Sequence, residues 1–148
     1  MISLSTLSRG QFKPMHIAEM EKFILQALDW NLHPPTSVNF IFCFHTLLPP
    51  IEESAKRTIV QRSYFFAETA VMDYSFVTLN ASDRAFSAIL NAIDGLNTSL
   101  MSEEDRRIYI NAIENVSGLD HTSNIIISIR ERMRSLYKQS AQFELDDN

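Results

Sequence analysis

Apolar side chains along this chain recur mostly at spacings of three and four residues, the period of a helix with one face turned to a core. The pattern predicts six helices, over about residues 14–30, 37–48, 52–72, 82–95, 102–115 and 125–137. The first carries a narrow stripe of apolar residues: Ile17, Met20, Ile24, Leu25 and Leu28. The second is apolar on almost every face, so it is predicted to form the hub of the core.

Prolines, glycines and small polar residues set the helix boundaries. Pro14 suits the first turn of a helix, where its missing N–H would have no partner anyway, and the tandem prolines at 34–35 and 49–50 interrupt the chain. The predicted N-caps are Thr36, Ser82 and Ser102. Gly95 is predicted to end its helix in the left-handed conformation, and Gly118 is predicted to end the helix that follows.

Residues 124–129 allow a second interpretation. Three consecutive isoleucines, Ile125 to Ile127, have strong β-strand propensity. Arg130, Arg134 and Lys138 nevertheless continue the segment at helical spacing, which favours a helix. With no sustained strand elsewhere and only three glycines, the predicted fold class is all-α.

The composition and the net charge limit the classes of partner that the chain is expected to bind. A chain of 148 residues with a net charge of −5 lacks the basic face that nucleic-acid binding requires, so proteins are the expected partners. No apolar run is long enough to span a membrane. The single cysteine, Cys43, cannot form an internal disulfide and is predicted to be a buried thiol, in keeping with a reducing compartment such as the nucleus or cytoplasm.

No pattern of a reactive centre is present. The four histidines have no partner at the spacing that places two metal ligands on one helix face: His16, His33, His45 and His121. A phosphate-binding glycine loop and a nucleophile elbow are also lacking. We therefore expect no catalytic residue, no metal and no cofactor, and a protein that is not an enzyme.

The last helix carries a stripe of basic residues, Arg130, Arg134 and Lys138, with Arg132 to one side. Such a stripe can bind phosphates. The preferred interpretation is a solvated helix face whose charge is offset by neighbouring acidic residues.

Several segments taken in order resemble the cyclins. They begin with Met20-Glu21-Lys22-Phe23-Ile24-Leu25, Leu28-Asp29-Trp30-Asn31-Leu32, Pro35-Thr36 and Phe40, and they continue with Phe65-Phe66-Ala67-Glu68, Asp73-Tyr74-Ser75-Phe76, Ala81-Ser82 and Ala85. The first group is similar to the end of the first cyclin box and the start of the second. Where the family typically has Pro-Ser, this chain has Ala81-Ser82, which keeps the serine and loses the rigid proline.

The resemblance, over residues 8–137, implies a domain organisation. Residues 1–35 would be the last helix of the first cyclin box and the inter-box linker, residues 36–139 a complete second box of five helices, and residues 140–148 an acidic, frayed tail. The expected fold is a cyclin-like five-helix box preceded by one extra helix and a proline-rich linker.

The resemblance also implies a function, that of a regulatory subunit that binds a cyclin-dependent serine/threonine kinase and regulates cell-cycle progression. By position, Glu21 and Leu25 match helix residues that face the regulatory helix of the kinase. Trp30, Leu32 and His33 match connector positions that touch the kinase. An acceptor carboxylate beside apolar anchors suits such an interface.

The first four helices of the first box are expected to be absent from this chain, and with them a lysine beside Glu21 and the substrate-recruiting groove. The alternative function is therefore a truncated cyclin-fold scaffold that binds proteins without activating a kinase. A cyclin-fold scaffold that contacts DNA is disfavoured by the negative net charge. The apolar stripe of residues 14–30 would be covered by the second box, by a partner or by self-association, or else would mark a fragment.

Overall fold

The structure is a computed structural model that describes residues 4–146, with side chains from residue 5 to residue 139. Within that range the secondary structure consists of seven α-helices and one 3-10 helix, without a strand. The α-helices are α1 (Leu4–Leu7), α2 (Pro14–Ala27), α3 (Ser37–His45), α4 (Glu53–Val71), α5 (Ala81–Asp94), α6 (Glu103–Ser117) and α7 (Asn124–Asp146); the 3-10 helix is Tyr74–Phe76. The all-α prediction is confirmed, and residues 124–129 are helical.

The chain forms two compact units, one ending at Pro34 and the other beginning at Pro35. The first unit contains α1 and α2, and the second contains the five helices α3 to α7. The sequence pattern missed α1, because a helix of four residues is too short to repeat an apolar position.

Helix α5 is the centre of the second unit. Ten of its fourteen residues are buried, and α3, α4 and α7 all pack against it. Its alanines let neighbouring backbones approach closely, while Phe86, Ile89 and Ile93 fill the space between the helices. The prediction that the helix at 37–48 is the hub was wrong: α3 buries only Ile41 and Phe44.

Polar side chains on α5 hold α7 in place. Asn91 Nδ2 donates a hydrogen bond of 3.0 Å to the backbone carbonyl of Arg130, and the guanidinium of Arg130 returns one of 3.4 Å to Asn91 Oδ1. One helical turn earlier, the buried hydroxyl of Ser87 lies 3.5 Å from the carbonyl of Ile126. Buried polar groups on α5 are thereby satisfied along the seam with α7.

The three arginines of the basic stripe on α7 and beside it pair with acidic residues. Arg130 and Arg134 both pair with the carboxylate of Asp94 at the end of α5. Arg132 pairs with Asp73 at 2.6 Å. The interpretation that acidic neighbours offset these arginines is confirmed.

Two of the three predicted N-caps are confirmed. The hydroxyl of Thr36 accepts the backbone N–H of Asn39 at 3.3 Å, and Asn39 Oδ1 accepts the N–H of Thr36 in return. Ser102 caps α6 by accepting the N–H of Asp105 at 3.1 Å. The prediction for Ser82 was wrong, because α5 begins at Ala81 and places Ser82 inside the first turn.

The two predicted terminal glycines differ in conformation. Gly118 ends α6, as predicted, and its φ of 71° is left-handed. Gly95 follows α5 with a φ of −84°, so the left-handed conformation predicted there is wrong. A Cβ atom at Gly95 would stand 2.8 Å from Arg62 Nη1, so the absence of a side chain makes room for that guanidinium.

Helices α3 and α6 contribute a pair of ring side chains, of which Tyr109 is buried and His45 is half-buried. The hydroxyl of Tyr109 lies 3.5 Å from Nδ1 of His45. Burial raises the pKa of Tyr109 and lowers the pKa of His45 to about 4, so both groups are neutral near pH 7. Cys43, two residues before His45, is exposed, and the prediction of a buried thiol was wrong.

The backbone of α7 continues as far as Asp146. The acidic tail predicted at 140–148 has its side chains, and its last two residues entirely, outside the described part of the chain. Among the described helices, none combines the length and the apolar character needed to cross a bilayer.

Candidate functional site

The five residues predicted to form a binding edge all belong to the first unit. Glu21 and Leu25 lie one turn apart on α2, so both side chains project from the same face of the helix. Trp30, Leu32 and His33 follow in the connector between α2 and Pro34. The edge is therefore built from one helix and the segment that leaves it.

Helix α2 begins as the sequence predicts, with Pro14 in its first turn. The N-cap, Lys13, has no side-chain capping hydrogen bond, so the start of α2 depends on the fixed φ of Pro14 rather than on a cap.

The end of α2 is a Schellman motif. The N–H of Trp30 donates to the carbonyl of Leu25 at 2.9 Å, and the N–H of Asp29 donates to the carbonyl of Gln26 at 3.1 Å. The motif satisfies carbonyls of the last turn of α2, which ends at Ala27, three residues before the predicted end near Trp30. It also fixes the direction in which the chain leaves the helix.

Asp29 and Trp30 adopt left-handed backbone conformations, with φ values of 50° and 58°. Asparagine and aspartate tolerate this region, but a bulky residue such as tryptophan is strained there, at roughly 1–2 kcal/mol. The indole of Trp30 is 66% exposed, so its own burial does not offset the strain. Strain of this kind is concentrated at binding sites, which supports a recognition role for Trp30.

An apolar groove of about 680 Å³ runs along α2. Its lining residues come from most of the length of α2, with one residue before the helix: Phe12, His16, Ile17, Met20, Glu21, Ile24 and Leu25. No side chain of α2 is buried. The groove therefore brings Glu21 and Leu25 together, whereas Trp30, Leu32 and His33 are exposed but do not line it.

Sequence reasoning missed Phe12 and His16 as groove residues. Phe12 stands immediately before the N-cap, and Ile17 is the fourth residue of α2, the two positions that a hydrophobic staple joins. The spacing of Phe12 and Ile17 in the sequence could have indicated that Phe12 packs against the start of α2. The helical stripe alone could not reveal Phe12, because this residue precedes the helix.

The groove combines one carboxylate with mostly apolar walls. Glu21 can only accept hydrogen bonds when ionised, so it suits a lysine or arginine on a partner. Leu25, Met20 and Ile24 offer the apolar contacts that dominate interface energies once water is displaced.

One group of potential metal ligands is found among the described residues, in the second unit: Glu114, Asp120 and His121, whose ligand atoms lie within 4.8 Å of one another. Glu114 Oε1 already accepts the backbone N–H of His121 at 2.8 Å and lies 2.6 Å from His121 Nδ1. Hydrogen bonds from Thr122 lower the pKa of Asp120. We explain the group as hydrogen bonding between the last turn of α6 and the residues that follow it, and we assign no metal to it.

The chain is similar in sequence to cyclins. Residues 35–146 match the family model described as the cyclin C-terminal domain. Cyclin-B1-1 of Oryza sativa subsp. japonica is 35% identical over 92 residues, which is 62% of this chain and 19% of that protein.

Two further relatives are also named as cyclins. The G1/S-specific cyclin-D1 of Mus musculus is 29% identical over 88 residues, 60% of this chain and 30% of the relative. The G2/mitotic-specific cyclin S13-6 of Glycine max is 30% identical over 103 residues, 70% of this chain and 22% of the relative. The matched regions thus span between 19% and 30% of these relatives.

Proposed function

The chain belongs to the cyclin family, and on that basis we propose that it is a regulatory subunit that binds a cyclin-dependent serine/threonine protein kinase and regulates cell-cycle progression. Cyclins are regulatory, non-enzymatic subunits, and the names of two relatives specify the G1/S and G2/mitotic stages. The proposed role requires no reactive centre in the chain itself.

The proposed kinase-binding residues are Glu21, Leu25, Trp30, Leu32 and His33. The observation that carries this assignment is the groove on α2, where the carboxylate of Glu21 lies among apolar side chains and Leu25 lines the same surface. The strained, exposed Trp30 adds a large apolar side chain directly after α2. Tryptophan in such a position is a frequent anchor of protein interfaces.

The mechanism we propose is positional. A basic residue of the kinase pairs with Glu21 while the apolar walls of the groove exclude water, which strengthens the ion pair. A kinase helix held against this surface keeps the kinase's own Lys–Glu ion pair assembled, as catalysis by protein kinases requires. The chain contributes binding energy, and the kinase carries out the chemistry.

The test is co-purification of a cyclin-dependent kinase with the full chain and with the double variant Glu21→Ala, Leu25→Ala. Loss of a charged contact and an apolar anchor together should weaken binding by about 2–4 kcal/mol, enough to remove the kinase from the purified complex. The matched control is Glu19→Ala, Gln26→Ala, which changes two exposed residues on the opposite face of α2. Equal kinase recovery with both variants would refute the proposal.

A second candidate is a cyclin-fold scaffold that binds its partner without activating a kinase. The match to the family covers the C-terminal domain, residues 35–146. This extent favours binding of a partner without activation of a kinase. Phosphorylation of a peptide substrate by the recovered complex separates the two. Activity above that of the kinase alone supports the regulatory subunit, whereas recovery of kinase without a rise in activity supports the scaffold.

A further inference from the structure

The connection between α4 and α5 projects a set of large apolar side chains from the second unit. We call residues 71–77 the corner. Val71 is 79% exposed, Met72 88%, Tyr74 85% and Val77 60%. Four large, exposed apolar side chains thus fall within seven positions, and exposed apolar surface concentrated in one place marks interaction sites on proteins.

The backbone of the corner is held firmly in spite of this exposure. The carboxylate of Asp73 accepts the N–H of Ser75 at 2.9 Å and Nε of Arg132 at 2.6 Å. The hydrogen bonds from Ser75, followed by the one from Arg132, lower the pKa of Asp73, so the carboxylate stays ionised in the neutral range.

A second anchor lies on the inner side of the corner. Phe76 is almost completely buried, and its carbonyl accepts a hydrogen bond of 3.1 Å from Arg84 of α5. Because the backbone is already ordered, burial of the exposed side chains would require little further loss of conformational entropy.

An apolar groove lies directly beside the corner. It has a volume of about 490 Å³, and its walls include Phe76 and Leu79 on one side and Ile125, Ile129 and Arg132 of α7 on the other. Ile125 is exposed at the rim, and the buried side chains of Phe76 and Ile129 form the floor. The space exceeds what a single aromatic side chain occupies, so an inserted tyrosine or methionine would fit.

We propose that the corner of one copy of this chain inserts into the groove of a second copy, and the reverse, to form a two-fold symmetric dimer. A two-fold interface requires that the donated and the accepting surfaces lie next to each other on the same face. Phe76 and Ser75 belong to both the corner and the groove lining, so this condition is met.

The charge distribution favours a second copy as the occupant. Among the described residues that form the corner and the groove, the charged ones are Asp73 and Arg132, and these two pair with each other. The face is therefore locally neutral although the chain carries a net charge of −5, and two copies can approach there without like-charge repulsion. The exposed guanidinium of Arg132 is also suited to stack on the ring of Tyr74 from the other copy.

Sedimentation velocity of the full chain at rising concentration tests the dimer. An interface made only of the corner and one groove is expected to be weak, so the sedimentation coefficient should rise from the monomer to the dimer value over roughly 1–200 μM. Tyr74→Ser in the corner and Ile125→Ser in the groove should each shift the midpoint at least about tenfold. The matched control is Val116→Ser, which removes an exposed apolar side chain from α6, outside both the corner and the groove.

A cross-linking experiment tests the reciprocal contact. In a Cys43→Ser background, a Tyr74→Cys chain mixed with an Ile125→Cys chain should form the mixed disulfide faster than either chain cross-links with itself. The proposal is overturned if the wild-type chain sediments as a monomer at every concentration. It is also overturned if Phe23→Ser on α2 abolishes the dimer while Tyr74→Ser does not, since α2 would then be the interface.

Discussion

His45 of α3 is half-buried beside Tyr109 of α6, and that burial decides its protonation state. The chain has four histidines, and no local sequence pattern distinguishes one from another. Only the fold places His45 beside Tyr109, where burial lowers its pKa to about 4. Cys43, two residues earlier, faces the solvent on the same helix. The packing of α5 and α6 decides which face of α3 is covered. The sequence of α3 does not reveal that face, because the helix is apolar on several sides.

A pH dependence follows from the His45 environment. In the unfolded chain the pKa of His45 is near 6.5, so between pH 6.5 and about 4 the unfolded state binds a proton that the folded state does not. The free energy of unfolding should therefore fall as the pH decreases through this window, by up to about 3 kcal/mol for a fully buried ring and less here because His45 is only partly buried.

Urea denaturation of wild type and His45→Gln across pH 4–7 measures this effect. The stability of the wild type relative to the variant should be greatest near pH 7 and should decline towards pH 4. Parallel stability curves for the two proteins would contradict the account.

At the scale of helices, predictions succeed where the determining interactions are local. Thr36, Ser102 and Gly118 act through residues three or four positions away, and each was predicted correctly. Gly95 and Ser82 were assigned incorrectly for different reasons. A glycine at position 95 makes room for the side chain of Arg62, which belongs to another helix. Ser82 cannot cap α5, because the helix already begins at Ala81.

The two serines provide a matched test of helix capping. Ser102→Ala removes the acceptor for the N–H of Asp105 and should lower the free energy of unfolding by about 1 kcal/mol. Ser82→Ala removes only a 3.4 Å contact with Asp83 inside the first turn of α5 and should change stability by less than about 0.5 kcal/mol. Chemical denaturation of both variants measures the difference, and equal losses would mean that the cap of α6 contributes nothing specific.

At the scale of the whole molecule, the fold class and the five helices of the second unit were predictable, because their apolar repeats and breaks are long and regular. The central role of α5 was not, because small residues such as Ala85 and Ala88 give a weak apolar signal although they permit the closest packing. The proposed roles of Glu21 and Leu25 rest on the resemblance to cyclins. The groove that joins them needed three-dimensional information, since Phe12 lies outside the helical repeat.

The kinase-binding proposal is tested most directly by hydrogen exchange of the full chain, alone and in the presence of a purified cyclin-dependent kinase. The amides of α2 and of the following connector should exchange more slowly in the presence of the kinase, while those of α6 serve as the internal reference. Protection centred on residues 14–33 is the expected result. Unchanged exchange across α2 at a kinase concentration that saturates the chain, or protection confined to the second unit, would contradict the proposal.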